Sequence, residues 1–302
     1  MIWINVKGDW DILKNIFKIL IIIILVISIF IFITKGSSKN NVNGFYWEAK
    51  KDNKSIYLIG TVHLGEKRLN YLNNNLNYIL NNTQALATET NSKDIDPEYI
   101  KKLQDKIYLT SGELKDFLNK EEQNQLKDVL KYLDLKYDDV SNLSKVGLNA
   151  LIQNYIDSID GFEDEGLDAY LENLYRKSKK DSVSLETLDD TSYSINYILD
   201  EFLDVDYIKN ELKDRKDFMN AFINGDTLFF KSHLENGKDE LDMNAYTKIV
   251  KDRNENMANR INSLLKENKT YAVAIGVGHF FGDDNVITYL ENLGYSITKL
   301  NK

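Results

Sequence analysis

The stretch "SIYLIGTVHLG", residues 55–65, has a near twin far downstream in "TYAVAIGVGHFFG", residues 270–282. In each, an apolar run closes on a glycine, a histidine follows three positions later, and another glycine comes soon after. Short apolar runs bounded by glycine read as buried strands, since a helix needs a longer periodic segment. A histidine just past the C-terminal end of such a strand sits where open α/β sheets hold their ligand crevice. His63 and His279 are two of only three histidines in the chain, so the repetition carries weight that one G-x-x-H would not.

Working outward, "EKRLNYLNNNLNYILNN" after His63 sets Leu69, Leu72, Leu76 and Ile79 at helical spacing. "QALATET", residues 84–90, alternates and reads as a second strand ending on Glu89, expected beside the first. After His279 come a short helix in "DNVITYLENLG", stopped at Gly294, and a last strand in "YSITKL". Both ends therefore follow one plan: strand, G-x-x-H, turn, helix, strand. The fold class this implies is α/β, with a central sheet built from two related halves within one domain, residues 45–302. A large helical insertion, about residues 97–262, interrupts it. "EEQNQLKDVLKYL" and "YSINYILDEFLDVDYIKNELKDRKDFMNAFI" carry helical spacing there, and "DSVSLET", residues 181–187, is a short strand ending near Glu186.

Ahead of that domain, "FKILIIIILVISIFIFIT" is long and apolar enough to approach the hydrocarbon thickness of a bilayer, with Lys18 able to snorkel. The expectation is a short cytoplasmic tail (1–16), a single transmembrane signal-anchor (17–34), a polar linker (35–44) and an extracellular C-terminal domain at the cell membrane. Bulky Thr34 and Lys35 precede the only small residues nearby, which favours a retained anchor over a cleaved signal. The 302-residue chain carries a net charge of −9 and no cysteine. Residues 1–40 are net positive, so the remainder is more acidic still, which argues against nucleic acid as a partner. The absence of cysteine removes disulfides, thiol nucleophiles and thiolate metal sites.

Any metal must then be held by histidine and carboxylate. If their strands are neighbours, His63 and His279 face one another as a shared metal site or as a general acid/base pair. Glu89 and Glu186, both at strand ends, supply carboxylates. Two neutral imidazoles with one or two carboxylates suit zinc, manganese or cobalt, with a position left for water. A second carboxylate or Arg253 would manage protons or the oxyanion. His233, in "FKSHLENG", reads as an ordinary surface or capping residue.

"YLIGTVHLG", "ALATET", "SLETLDD", "DRNENMANRI" and "AVAIGVGHFFGDDNVITYLENLGYSITKL" together resemble the TraB/PrgY/GumN family, related to the Tiki proteins. The resemblance implies an erythromycin-esterase/ChaN-like α/β fold with paired halves and, from the Tiki branch, a metal-dependent hydrolase acting as a peptidase. By motif position it makes His63 and His279 the paired site histidines and Glu89 their acidic partner. It takes Arg253 and Asn254 from the R-N motif and sets Glu186 in the L-E-T segment. The family's pheromone-shutdown members imply surface proteins that limit peptide signals. Two departures bear on substrate preference: a threonine precedes Glu89 where an aliphatic residue is usual, and "DDTSYS" lacks a glutamine expected after L-E-T. The resulting expectation is a membrane-anchored extracellular hydrolase with His63, Glu89 and His279 on a divalent metal. Glu186 would be its general base, and Arg253 with Asn254 would act on the substrate. The alternatives are a protein that sequesters a peptide uncut and a metal-independent esterase-like hydrolase.

Overall fold

A computed structural model of the chain describes residues 40–66, 69–91, 101, 104–160, 166–187, 203–238 and 242–302. Its central sheet has six strands: β1 (Phe45–Lys51), β2 (Lys54–Thr61), β3 (Ala85–Thr88), β4 (Asp181–Ser184), β5 (Tyr271–Gly276) and β6 (Ser296–Lys299). They lie in the order β4-β3-β5-β2-β1-β6. The first four of that row are parallel, with Gly60 opposite Ile275 and Thr88 opposite both Ala274 and Ser184. β1 runs antiparallel to its neighbours β2 and β6. Near-continuous apolar runs such as Ile56–Ile59 and Tyr271–Ile275 suit strands covered on both faces.

The helices that matter for the site are α1 (Asn74–Asn82), α2 (Lys120–Leu133), α3 (Lys145–Asp160), α4 (Leu167–Lys177), α5 (Val205–Asn224), α6 (Thr227–Lys238), α7 (Asp252–Leu264) and α8 (Val286–Asn292). From the adjacent pair β2 and β5, the chain winds outward in opposite directions. β2 leads through α1 past β5 to β3, and β5 leads through α8 past β2 and β1 to β6. Right-handed crossovers in opposite directions put their helices on opposite faces. On one face, Tyr78 of α1 packs edge-on to Tyr57, and the Tyr46 hydroxyl accepts from Asn73 at 3.0 Å. On the other, Phe222 and Phe230 of α5 and α6 surround Phe45, and Lys51 Nζ reaches Asn262 of α7 at 3.1 Å.

Two expectations change. The strand ending on Glu89 does not lie beside β2, because β5 occupies the place between them. The β2–α1–β3 crossover skips one strand position, and the C-terminal strand fills that slot. The helix after His63 starts later than its leucines suggest. Asn73 caps it by accepting from Leu76 N at 2.8 Å, which leaves Leu69 and Leu72 ahead of the helix. β1 is an addition, since its mixed "FYWEAKK" offers no clean alternation.

The helical insertion is not one body apart from the sheet. Leu130, Leu148, Ile152 and Ile208 of α2, α3 and α5 form a second core, whereas α4, α6 and α7 pack into the main one. The proposed tail, anchor and most of the linker fall in residues 1–39, outside the described residues. Among the described residues no helix is long and apolar enough to cross a membrane.

Candidate functional site

Every strand-end residue singled out in the sequence follows the C-terminal end of one of the four parallel strands. Thr61 pairs with Gly276 and Thr88 with Ser184, so the four parallel strands stop nearly level. The chain then runs on to His63, Glu89, Glu186 and His279. β2 and β5 are the strands from which the crossovers diverge, and a crevice opens at such a point. His63, Glu89, Arg253, Asn254 and His279 all border one cavity of about 460 Å³ there.

The insertion of β5 beside β3 brings Glu89 to His279. Glu89 Oε1 accepts the Gly276 amide at 2.5 Å and lies 3.5 Å from His279 Nε2. A Cβ on Gly276 would come within 3.1 Å of that oxygen, so the absence of a side chain lets the carboxylate close over the strand end. Burial pushes the Glu89 carboxyl up. The charge and hydrogen bond of His279, the Gly276 amide and the charge of His63 outweigh it, holding the group well below the ordinary carboxylate range.

Each histidine is fixed through Nδ1. His279 Nδ1 lies 2.5 Å from Asn254 Oδ1, and Asn254 is itself held by donating from Nδ2 to Asp284 O at 2.6 Å. An amide oxygen only accepts, so Nδ1 carries a proton, and Nε2 is the nitrogen that faces Glu89. His63 Nδ1 bonds Asp168 Oδ2. That bond, with the Asp168 and Glu89 charges, raises the His63 pKa to about 9 against an opposing effect of burial. The N-terminus of α4 clamps the same residue by its backbone, Gly166 N donating to His63 O at 3.1 Å. A Cβ at Gly166 would sit 1.9 Å from Val62 O, so only glycine permits this approach.

Arg253, on the first turn of α7, makes a two-pronged ion pair with Glu186. Its Nε donates to Oε1 at 2.7 Å and its Nη2 to Oε2 at 3.0 Å. Nη2 also reaches Glu89 Oε2 at 3.4 Å. The Glu186 side chain is only 2% exposed and the guanidinium 13%. Both oxygens of the residue expected to be a general base are thus engaged by a cation.

Asp168, the partner of His63, is the residue of this cluster that the sequence reading missed. Nothing local marks it among 47 Asp and Glu residues. His233 lies on α6, exposed, with its ring stacked on Phe229 at 5.4 Å.

The profile of the TraB/PrgY/gumN family matches residues 45–299. The chain belongs to that family. Among curated proteins it is similar to "Metalloprotease TIKI homolog" of Amphimedon queenslandica, 46% identical over 57 residues, 18% of this chain and 11% of that protein. It is also similar to "Metalloprotease TIKI2" of Xenopus tropicalis, 42% identical over 60 residues, 19% of this chain and 12% of the relative. The matched stretches therefore span about an eighth or less of these curated relatives. No solved structure matches the chain.

The names of these relatives raise the question of a metal. The donor chemistry fits one: two imidazoles with Nδ1 already bonded to oxygen acceptors, the arrangement that orients metal-bound histidine, and an ionised carboxylate beside one Nε2. Among the described residues, no three such side chains stand close enough to count as a ligand group.

Proposed function

We propose that this TraB/PrgY/gumN-family chain is a metal-dependent hydrolase acting on peptides, anchored to the cell membrane by residues 17–34 with residues 45–302 outside. The observation that carries the reading is that both imidazoles are pinned at Nδ1, by Asp168 and Asn254, with Glu89 against the Nε2 of His279. His63, Glu89 and His279 hold the metal, one of zinc, manganese or cobalt. When bound, the metal supplies a Lewis acid and a water acidified to near neutral pH. Asn254 and Asp168 act through the histidines, holding a proton on each Nδ1 so that Nε2, once it gives up its own proton, is the nitrogen that would take the metal.

Arg253 borders the cavity and offers positive charge to an anionic oxygen developing on the substrate. Glu186, its partner through two hydrogen bonds, holds the guanidinium in place. A carboxylate bound on both oxygens is a poor proton acceptor, so Glu186 enters this reading as the anchor of Arg253.

The test is metal content by mass spectrometry of the full-length protein in detergent, beside His63→Ala and His279→Ala. Near-stoichiometric zinc, manganese or cobalt in wild type, lost in both variants with unchanged circular dichroism, is the expected result. Wild-type protein that takes up none of the three after reconstitution overturns the reading. A second reading, sequestration of a peptide without cleavage, draws on Glu186, the expected base, being held on both oxygens by Arg253. Peptide recovered intact after release would favour it, and hydrolysis insensitive to chelators would instead favour metal-independent esterase chemistry.

A further inference from the structure

His63 stands between two cavities. Beyond the one already described lies another of about 540 Å³, and His63, Gly276 and Gly278 border both. Leu234, Ile249 and Phe281 line the first, while Leu64, Phe218 and Met219 line the second. Each is of the size that accepts a few side chains. The His63 ring, 72% exposed, is reached from either side.

Three glycines near this junction answer differently to an added Cβ. At Gly60 it would meet Phe45 Cβ at 3.1 Å, and at Gly276 it would meet Glu89 Oε1 at 3.1 Å. Packing accounts for both. At Gly278 the nearest atom is Leu234 Cδ2 at 3.9 Å, an ordinary contact, and the backbone there is not in the left-handed region. Neither packing nor conformation requires glycine at 278. The one neighbour of such a Cβ, Leu234, lines the first cavity, and Gly278 itself borders both.

We infer that the two cavities form one groove, that an extended peptide lies along it with residues on both sides of the bond cleaved, and that Gly278 keeps the passage open. This rests on the peptidase reading above. A chain trimmed from one end needs one cavity and a closed stop, whereas two apolar cavities joined past His63 take a segment that continues in both directions. Exposed carboxylates border each part, Glu235 on one side and Asp214 on the other, where the neighbouring Arg215 is already paired with Glu211 and Asp157. The occupant is therefore an apolar peptide with cationic flanks. Water adds across an internal amide: the C–N bond breaks, the carbonyl carbon gains hydroxyl and the departing nitrogen gains the proton.

The experiment uses full-length protein loaded with zinc, manganese or cobalt and two libraries of decapeptides with apolar centres and lysine flanks. One is N-acetylated and C-amidated, and the other has free ends. Fragments are read by mass spectrometry for wild type, Gly278→Ala and Gly278→Val, with metal affinity and melting temperature measured on each. We expect internal cuts in the blocked library, slowed at least about tenfold by Gly278→Ala and abolished by Gly278→Val, with metal affinity unchanged. Should Gly278→Val fail to fold, Gly278→Ala decides alone. Trimming confined to the free-ended library overturns the proposal, as does a Gly278 variant that folds and cuts blocked peptides at the wild-type rate. If loaded wild type cuts neither library, the peptidase reading falls, and the groove is judged by retention. Blocked peptide held intact by wild type and released by Gly278→Val sustains the groove; no retention overturns it too.

Discussion

His63 and Glu89 carry opposite electrostatic signatures within one cavity. The His63 pKa is raised from 6.5 to about 9, first by the hydrogen bond from its ring to Asp168. A folded-state value above the unfolded one stabilises the fold fully below about 6.5, and the contribution fades as pH climbs through about 9. Because the ring is 72% exposed, solvent screening keeps it small. The expected outcome is a gap in melting temperature between wild type and Asp168→Asn that is open at pH 6 and closed by about pH 10. A gap of the same size at both would remove the charge from the explanation. Glu89, depressed, has the opposite sign: its contribution is present above the ordinary carboxylate range and lost as pH falls through its lowered value. Arg253 and Glu186 form a buried pair, so Arg253→Ala strands an anion in the interior. We expect a loss of about 3–5 kcal/mol in denaturant unfolding, much of it restored when Glu186→Gln is added. At this scale the sequence was half legible. Two rare histidines in matching frames stood out, whereas Asp168 had the identity of many surface residues and became distinctive only through what it touches.

An element becomes informative here through its ends. The N-terminus of α4 lies on the chain just past β2, with Gly166 against Val62 and His63. Gly166→Ala forces a methyl group to within about 2 Å of a carbonyl oxygen, an overpacking expected to lower stability by about 1–3 kcal/mol. Thermal unfolding measures it, and a variant as stable as wild type would mean that α4 withdraws without penalty. Strand segments were readable because a doubly covered sheet demands continuous apolar runs, and "SIYLIG" and "TYAVAIG" supply them. The start of α1 was misjudged because Leu69 and Leu72 fit helical spacing, while the capping hydrogen bond of Asn73 fixes the actual start. β1 went unread for the converse reason: its burial comes from neighbours on both sides, not from a pattern of its own.

For the whole molecule, the described residues form two apolar cores, one joining the sheet to α4, α6 and α7 and a smaller one among α2, α3 and the start of α5. Leu148, fully buried on α3, belongs to the smaller one. Leu148→Ala is expected to cost about 2–5 kcal/mol locally and to speed amide exchange in α2 and α3 while β2 and β5 keep their protection. Equal acceleration in the sheet would mean that the cores unfold together. Strand order lay beyond the sequence, since no local feature of "TYAVAIG" says that it fits between β3 and β2. That placement has a temporal side. β5 supplies the middle of the parallel row and leads into His279, yet along the chain it comes about two hundred residues after β2. Until it arrives, β2 and β3 have no shared neighbour, and His63 and Glu89 have no common partner. Pairing across so great a sequence separation is slow to form, so the site assembles only after the whole intervening stretch has been made. No site of this arrangement exists while the backbone ahead of β5 is being made.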